Sequence, residues 1–195
     1  MVVGHTCERA QVEIDIFTAN TNLVAFRYDL ATSAWSVLWR STLADGTTPY
    51  SITGGGWGGP SIVDLDDDGS PEILRGAVVL DAHGRLLDDA SLGQHIYSAG
   101  IFGVAVDVDH DGQVEFVAGD GIWQWDRTAH TWTAESYFAP ASAAAPGHVA
   151  VADFGNFPGT MSWPSDTPEI AVIASGAARV QTLDGTIVFG PVALP

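Results

Sequence analysis

Two nine-residue segments constrain this chain more than anything else in it. Asp64-Leu-Asp66-Asp67-Asp68-Gly69-Ser-Pro-Glu72 and Asp107-Val-Asp109-His-Asp111-Gly112-Gln-Val-Glu115 both carry carboxylates at positions 1, 3, 5 and 9 and glycine at position 6. Each is entered from a short apolar run (Ser61–Val63, Val104–Val106) and left into another (Ile73–Leu80, Val114–Ala118). A third, altered copy opens at Val149-Ala-Val-Ala-Asp153 and closes at Pro168-Glu169-Ile-Ala-Val172. Asp64 to Asp107 is 43 residues and Asp107 to Asp153 is 46, a period that fits about four strands per unit, as in a propeller blade.

The rest of the chain agrees with an all-β reading. No stretch of about 12 residues or more shows helical periodicity with caps. Further apolar runs occur at Val12–Phe17, Leu23–Tyr28, Trp35–Trp39, Ile122–Trp125, Thr131–Glu135, Val180–Leu183 and Ile187–Phe189, with turn residues between them. Asp184-Gly185 is a hairpin signal with a mechanism, because Gly185 tolerates a positive φ. The expected architecture is therefore β-propeller blades of four antiparallel strands, three complete and one partial, forming an incomplete propeller. Residues 1–50 are the partial or degenerate blade, since no innermost strand or acidic loop is recognisable before Val12 beyond a remnant at Val2-Val3. The complete blades are 51–98, 99–143 and 144–195, all within one propeller segment.

The acidic loops point to a hard cation. Calcium takes six to eight oxygen ligands, and alternate positions of a tight loop converge on one centre. Clustered carboxylates without a cation repel one another. The expected ligands are Asp64, Asp66, Asp68 and Glu72 in one loop and Asp107, Asp109, Asp111 and Glu115 in the other, with the backbone carbonyl of Ser70 or Gln113 as a further donor. An EF-hand is ruled out. Position 12, where that loop needs a bidentate Glu, is Arg75 or Ala118, and the flanks are β-rich. Mg2+ is disfavoured because it retains more water. In the third loop Gly155 replaces the position-3 acid, leaving Asp153, Asn156, Asp166 and Glu169 as a weaker set. The plain alternative for all three is an Asp/Gly-rich hairpin connection that binds nothing.

Charge narrows the partners. The chain has 24 acids against seven basic residues, all Arg, for a formal charge of −17. Such a surface repels phosphate backbones and anionic membranes, so nucleic acid is not an expected partner. No apolar run is long enough to span a bilayer. A single cysteine, Cys7, excludes an internal disulfide. The six histidines show no metal-type spacing, and His110, at loop position 4, is expected to face away from a cation. Gly54-Gly-Gly-Trp57-Gly-Gly-Pro60 lacks the ending of a phosphate loop and reads as close backbone packing. Trp57, Trp123, Trp125, Trp132 and Trp163 are candidates for sugar stacking, weighed against packing between sheets, with Trp163 the best placed for exposure.

At the acidic loops the chain resembles the FG-GAP/VCBS repeat family, the integrin-α-like β-propellers. Phe102-Gly103-Val-Ala-Val precedes Asp107, and Ala118-Gly119-Asp120 stands where that family has Gly-Ala-Pro. Gly58-Gly59-Pro60 leads into the first repeat and Arg75-Gly76-Ala77 follows it; Pro146-Gly147-His148 and Ser175-Gly176-Ala177 flank the third. The resemblance covers 57–190 well and 1–50 weakly. It implies calcium held between the first two strands of each blade, and an extracellular or cell-surface setting. Complete propellers of this family have about seven blades, so either further blades or a second chain is expected to close the ring. Met1–Arg9 has no leader pattern, which favours a segment of a longer exported chain. The function expected is a calcium-binding extracellular module for protein or carbohydrate binding or adhesion, with calcium mainly structural. The alternative is a portion, catalytic or not, of a secreted polysaccharide-active enzyme of lyase type. No nucleophile elbow is present, and the most regular carboxylate pairs are accounted for by calcium, so catalysis is the less favoured reading.

Overall fold

A computed structural model of the chain describes residues 2–4, 11–17, 23–51, 60–76, 78–89, 91, 103–137, 145–155, 157 and 167–195. The Gly54–Gly59 run with Trp57, the insert with Trp163, Cys7, and the lead-in residue Phe102 lie outside them. The described residues form strands, turns and bends, with no helix among them and hence none long and apolar enough to cross a membrane.

The strands make four antiparallel sheets, each of four strands in sequence order. The first comprises β1 (Val2–Gly4), β2 (Gln11–Phe17), β3 (Leu23–Asp29) and β4 (Ala34–Arg40). The second comprises β5 (Ser61–Val63), β6 (Glu72–Arg75), β7 (Val78–Leu80) and β8 (Leu86–Asp88). The third is β9 (Val104–Val106), β10 (Glu115–Ala118), β11 (Gly121–Asp126) and β12 (Thr131–Tyr137). The fourth is β13 (His148–Ala152), β14 (Glu169–Ala174), β15 (Ala177–Gln181) and β16 (Ile187–Ala193). The first sheet is thus four-stranded and not partial. Its first strand is the short Val2–Gly4, paired with Glu13–Asp15. The Val2-Val3 remnant is this strand; three residues with no acidic loop after them carry too little pattern to be read as a full one. The apolar run Ile73–Leu80 divides into two strands because the chain turns at Gly76, where φ is +58°.

By contacts the chain divides into two compact units, Met1–Ala99 and Gly100–Pro195, of two sheets each. In the first unit the buried apolar residues include Leu23, Val24 and Ala25 of β3 and Ile73, Leu74, Val78, Val79 and Leu80 of β6 and β7. The segment after β4 links its two sheets. The Thr42 N–H donates to the Gly84 carbonyl at 2.9 Å, and the Leu86 N–H donates to the Thr42 carbonyl at 2.9 Å. Buried Ser41 completes the link: its Oγ accepts from the Leu23 N–H at 3.1 Å and donates to the Tyr50 carbonyl at 2.8 Å.

In the second unit, Val108, Val117 and Ile122 pack with Ile170, Val172 and Leu183 as one apolar cluster shared by the third and fourth sheets. Behind it, Phe116, Trp123, Trp125 and Trp132 form an aromatic layer, with Trp125 and Trp132 edge to face at 4.9 Å. All three of these tryptophans are buried. This corrects their candidacy for sugar stacking: an indole at the centre of a packed layer offers no face to a ligand.

Arg179 of β15 joins the same two sheets. Its guanidinium donates to the Gly119 carbonyl at 2.8 Å, to the Ala145 carbonyl at 2.7 Å and to Gln181 Oε1 at 2.7 Å, while Gln181 Nε2 donates to Gly119 at 3.0 Å. Gly119 is close-packed, since a Cβ there would lie 2.4 Å from the Pro146 carbonyl oxygen. Hydrogen bonds from a buried charged donor contribute about 1.5–3 kcal/mol net, and removing that donor strands the carbonyls it served. Arg179→Met is expected to lower unfolding stability by about 3 kcal/mol, read from the chemical denaturation midpoint. A loss under about 0.5 kcal/mol would show that the apolar cluster alone holds these sheets together.

Candidate metal centre

The three loops between the first and second strands of sheets two, three and four share one construction. A glutamate is the first residue of the second strand (Glu72, Glu115, Glu169), paired with the last residue of the first (Val63, Val106, Ala152). Each glutamate is buried. Each accepts the N–H of loop position 2: Leu65 to Glu72 at 2.7 Å, Val108 to Glu115 at 2.8 Å and Phe154 to Glu169 at 2.8 Å. Apolar Leu65 and Val108 point inward at that position and are fully buried.

The first two loops then match bond for bond. The Gly69 N–H donates to Asp64 Oδ2 at 3.0 Å, and the Gly112 N–H to Asp107 Oδ2 at 3.1 Å. The Asp68 and Asp111 N–H groups donate to Asp66 and Asp109 Oδ1, both at 3.2 Å. The turn that allows this needs left-handed backbone twice per loop: at position 4 (Asp67 φ +56°, His110 φ +63°) and at position 6 (Gly69 φ +86°, Gly112 φ +88°). Aspartate tolerates that region better than most side chains, and glycine occupies it freely. His110 is exposed.

Three carboxylates converge in each loop. Asp64, Asp66 and Glu72 offer oxygens all within 4.8 Å of one another, and so do Asp107, Asp109 and Glu115. Either group can hold a metal ion. Three oxygens here, Asp64 Oδ1, Asp107 Oδ1 and Glu115 Oε1, are buried with no hydrogen-bond partner. A buried anionic oxygen without a donor is costly, and a hard cation is the species that fits it. Asp68 and Asp111 stand outside these groups. Asp68 Oδ1 accepts from the Ser70 N–H at 2.6 Å, and Asp111 accepts from the Gln113 N–H at 2.8 Å and from Gln124 Nε2 at 3.1 Å.

In the third loop Asp153 is exposed and accepts the Gly155 N–H at 2.8 Å, a contact with position 3 where the other loops reach position 6. Asn156 and Asp166 lie outside the described residues.

One carboxylate near the second loop is not signalled by the motif. Glu135 of β12 lies close enough to Asp109 and Asp111 for their charges to act on its carboxyl. It sits at an irregularity, where Trp123 pairs with Ala134 and Ile122 with Ser136, leaving Glu135 unmatched. The third and fourth strands of the first two sheets shift at the same place, and the unmatched residues there are Leu38 and Leu87. A charge where sister repeats carry leucine was the available signal. It is visible only once the bulge is known, because a bulge re-aims the side chain.

Electrostatics follows from this crowding. Burial, then the charges of Asp66, Asp64 and Asp68, push the Glu72 carboxyl up to about 7. Burial, then Glu135, Asp109 and Asp111, push Glu115 up to about 7 as well. Partial desolvation, then Asp109 and Asp111, do the same to Glu135, which as a residue remains exposed. The hydrogen bonds from Leu65 and Val108 act the other way and are outweighed.

No family model matches the chain, and no curated protein matches it in sequence. Among solved structures it is similar to Bacillus licheniformis rhamnogalacturonan lyase PL11, with a TM-score of 0.51 and 18% identity over 93% of this chain. The two share a fold. The chain spans 29% of the lyase's length. Its overlay on the V. cholerae biofilm matrix protein Bap1 is looser, with a TM-score of 0.43 and 18% identity over 91% of this chain and 34% of that one.

Two outcomes are expected from the site's charge. A carboxyl whose folded pKa lies above its unfolded value holds its proton better when folded. Glu72 and Glu115 therefore favour the folded state most below about 4.5, and that contribution is lost as pH rises through about 7. Thermal melting in EDTA should give a midpoint that falls between about pH 5 and pH 8; a rising midpoint contradicts the repulsion. In the cation-free chain at about pH 8, Glu135→Gln should raise stability by up to about 1 kcal/mol, since Glu135 is solvent-exposed and the repulsion it relieves is screened. Destabilisation by that change would mean the contact with Asp109 is attractive.

Proposed function

We propose that this chain is a calcium-binding segment of an extracellular β-propeller of FG-GAP/VCBS type, its sheets serving as blades, and that it acts as a module for carbohydrate or protein binding. The reading is carried by one observation: two loops, in register within a repeat, each gather three carboxylates around buried oxygens that have no donor. Asp64, Asp66 and Glu72 hold one ion, and Asp107, Asp109 and Glu115 the other. Asp68 and Asp111, outside both groups, would add ligands only on leaving their own turns, and loop carbonyls and water would supply further oxygens. Calcium suits six to eight oxygens at flexible geometry better than magnesium does. The ion's work is structural: it cancels the repulsion that raises the Glu72 and Glu115 carboxyls and fixes the crossing from first to second strand. Weak sites of this kind fill at the calcium levels found outside cells. Further blades, or a second chain, close the ring.

Isothermal titration with Ca2+ should give two sites, one lost in Asp66→Ala, the other in Asp109→Ala, and none in the double variant. Saturating calcium at about 100 times Kd should stabilise the native chain by about 2.7 kcal/mol per site. Unchanged binding in the double variant would defeat the assignment, and a melting midpoint indifferent to EDTA would remove the structural role.

The fold shared with a polysaccharide lyase favours one second reading, that the segment belongs to a polysaccharide-active enzyme. Incubation with a polyuronate that yields no ultraviolet-absorbing unsaturated product would set aside activity of this segment alone.

A further inference from the structure

The first unit contains a cleft of about 640 Å3 that neither cation loop touches. Arg27, Arg40 and Arg85 line it together with Trp39, Thr42 and His83. Three of the seven basic side chains in a chain of charge −17 thus meet at one concavity. Random placement on an acidic surface would set arginines beside carboxylates, and here the acids of the two flanking turns accept from their own backbone. Asp45 accepts the N–H groups of Thr47 and Thr48, both at 2.8 Å, and Asp81 accepts those of His83 and Arg85, both at 2.8 Å. Arg40 and Arg85 are exposed, and neither has a carboxylate partner among the described residues. Glu13 lies opposite Arg27 in the β2–β3 register, so the free positive charge rests on Arg40 and Arg85.

The walls are held by backbone. The turn Asp81–Arg85 docks on Thr42 through the two hydrogen bonds to Gly84 and Leu86 already described. Gly84, at φ +78°, lies so close to the Trp39 ring that a Cβ would fall 2.3 Å from it. The indole is therefore seated against the turn, partly buried, and lines the cleft. Gly46 lies against the Arg85 guanidinium in the same way, with a Cβ clash at 2.9 Å.

We propose that this cleft binds a small carboxylate-bearing sugar, a uronate of one or two residues. Two guanidinium forks suit a planar carboxylate, which each can grip bidentately. The Trp39 indole beside them offers an apolar face for the C–H side of a pyranose ring, and Thr42 and His83 supply hydrogen-bonding groups for its hydroxyls. The volume falls in the range of small-molecule sites and exceeds what an inorganic anion fills. Ordinary salt screens the net charge of −17 beyond about 10 Å, so a short acidic sugar in the cleft meets mainly the local arginines. The inference deepens the carbohydrate-binding reading above and rests on it for the ligand being a sugar; it shares no residue with the cation sites.

The test is an amide and indole chemical-shift titration of the full chain at about 0.1 M salt, with D-glucuronate, D-glucose and inorganic phosphate as probes. Saturable glucuronate shifts are expected at Trp39, Thr42, His83 and Arg85, with glucose at least about tenfold weaker and glucuronate weakened about tenfold in Arg40→Gln and again in Arg85→Gln. Added salt should weaken binding. Equal shifts from glucose, glucuronate shifts elsewhere on the chain, or unchanged affinity in the double variant each overturn the proposal. Phosphate binding at these residues with no preference for glucuronate also overturns it, in favour of a simple anion site. A chain that takes up calcium but shows no glucuronate shifts refutes this inference and leaves the cation reading standing. A chain that binds glucuronate and no calcium does the reverse.

Discussion

The interaction on which the loops depend is a hydrogen bond from a backbone N–H to a buried glutamate. In sheets two, three and four, the carboxylate that opens the second strand accepts the N–H of loop position 2. That bond ties the start of the loop to its end. It lets an apolar residue, Leu65 or Val108, turn into the core while the acids beside it turn toward the loop's centre. It also buries a negative charge at the base of the loop. One N–H per glutamate does not offset that burial, and the surrounding aspartates add repulsion, so the carboxyls of Glu72 and Glu115 hold protons up to about pH 7. The loop is thus a strained electrostatic arrangement that only a proton or a cation relieves.

The two units solve the problem of joining adjacent sheets with different chemistry. In the first, backbone bonds between Thr42 and the Asp81–Arg85 turn carry the link, with Ser41 buried behind them. In the second, Arg179 and Gln181 reach the Gly119 carbonyl. Burial lowers the Arg179 pKa and the charge of Asp120 acts against it, so the guanidinium is desolvated in return for well-aligned bonds. The backbone solution in the first unit leaves Arg40 and Arg85 without a carboxylate partner among the described residues, and both line the cleft beside that link.

Much of the fold was legible because strand pairing here is local. Short β-branched runs with Asp-Gly turns between them can pair only with their neighbours, and the expected positive φ at Gly185 is present. Of the first strand, Val2–Gly4, brevity left only the Val2-Val3 remnant to be read. At the site, the spacing of positions 1, 3 and 9 reads directly as convergence, because alternate residues of a tight loop face one centre. The fifth-position acids, Asp68 and Asp111, follow the same spacing, yet their oxygens cap their own turns. Backbone donors two residues away compete with the loop's centre, and a linear motif does not record that competition. Glu135 was missed because it comes from a strand 20 residues beyond Glu115, and only the bulge aims it at Asp109.

The sequence by itself determined most of the strands, their antiparallel order, and the presence of two acidic loops of equal design, because these depend on residues close together along the chain. Tertiary structure decided which acids share a centre, which tryptophans are core and not binding faces, and where three arginines meet. Those outcomes depend on hydrogen-bond competition, on close approach at Gly84 and Gly119, and on a bulge, each set by segments that sequence distance keeps apart and folding brings into contact.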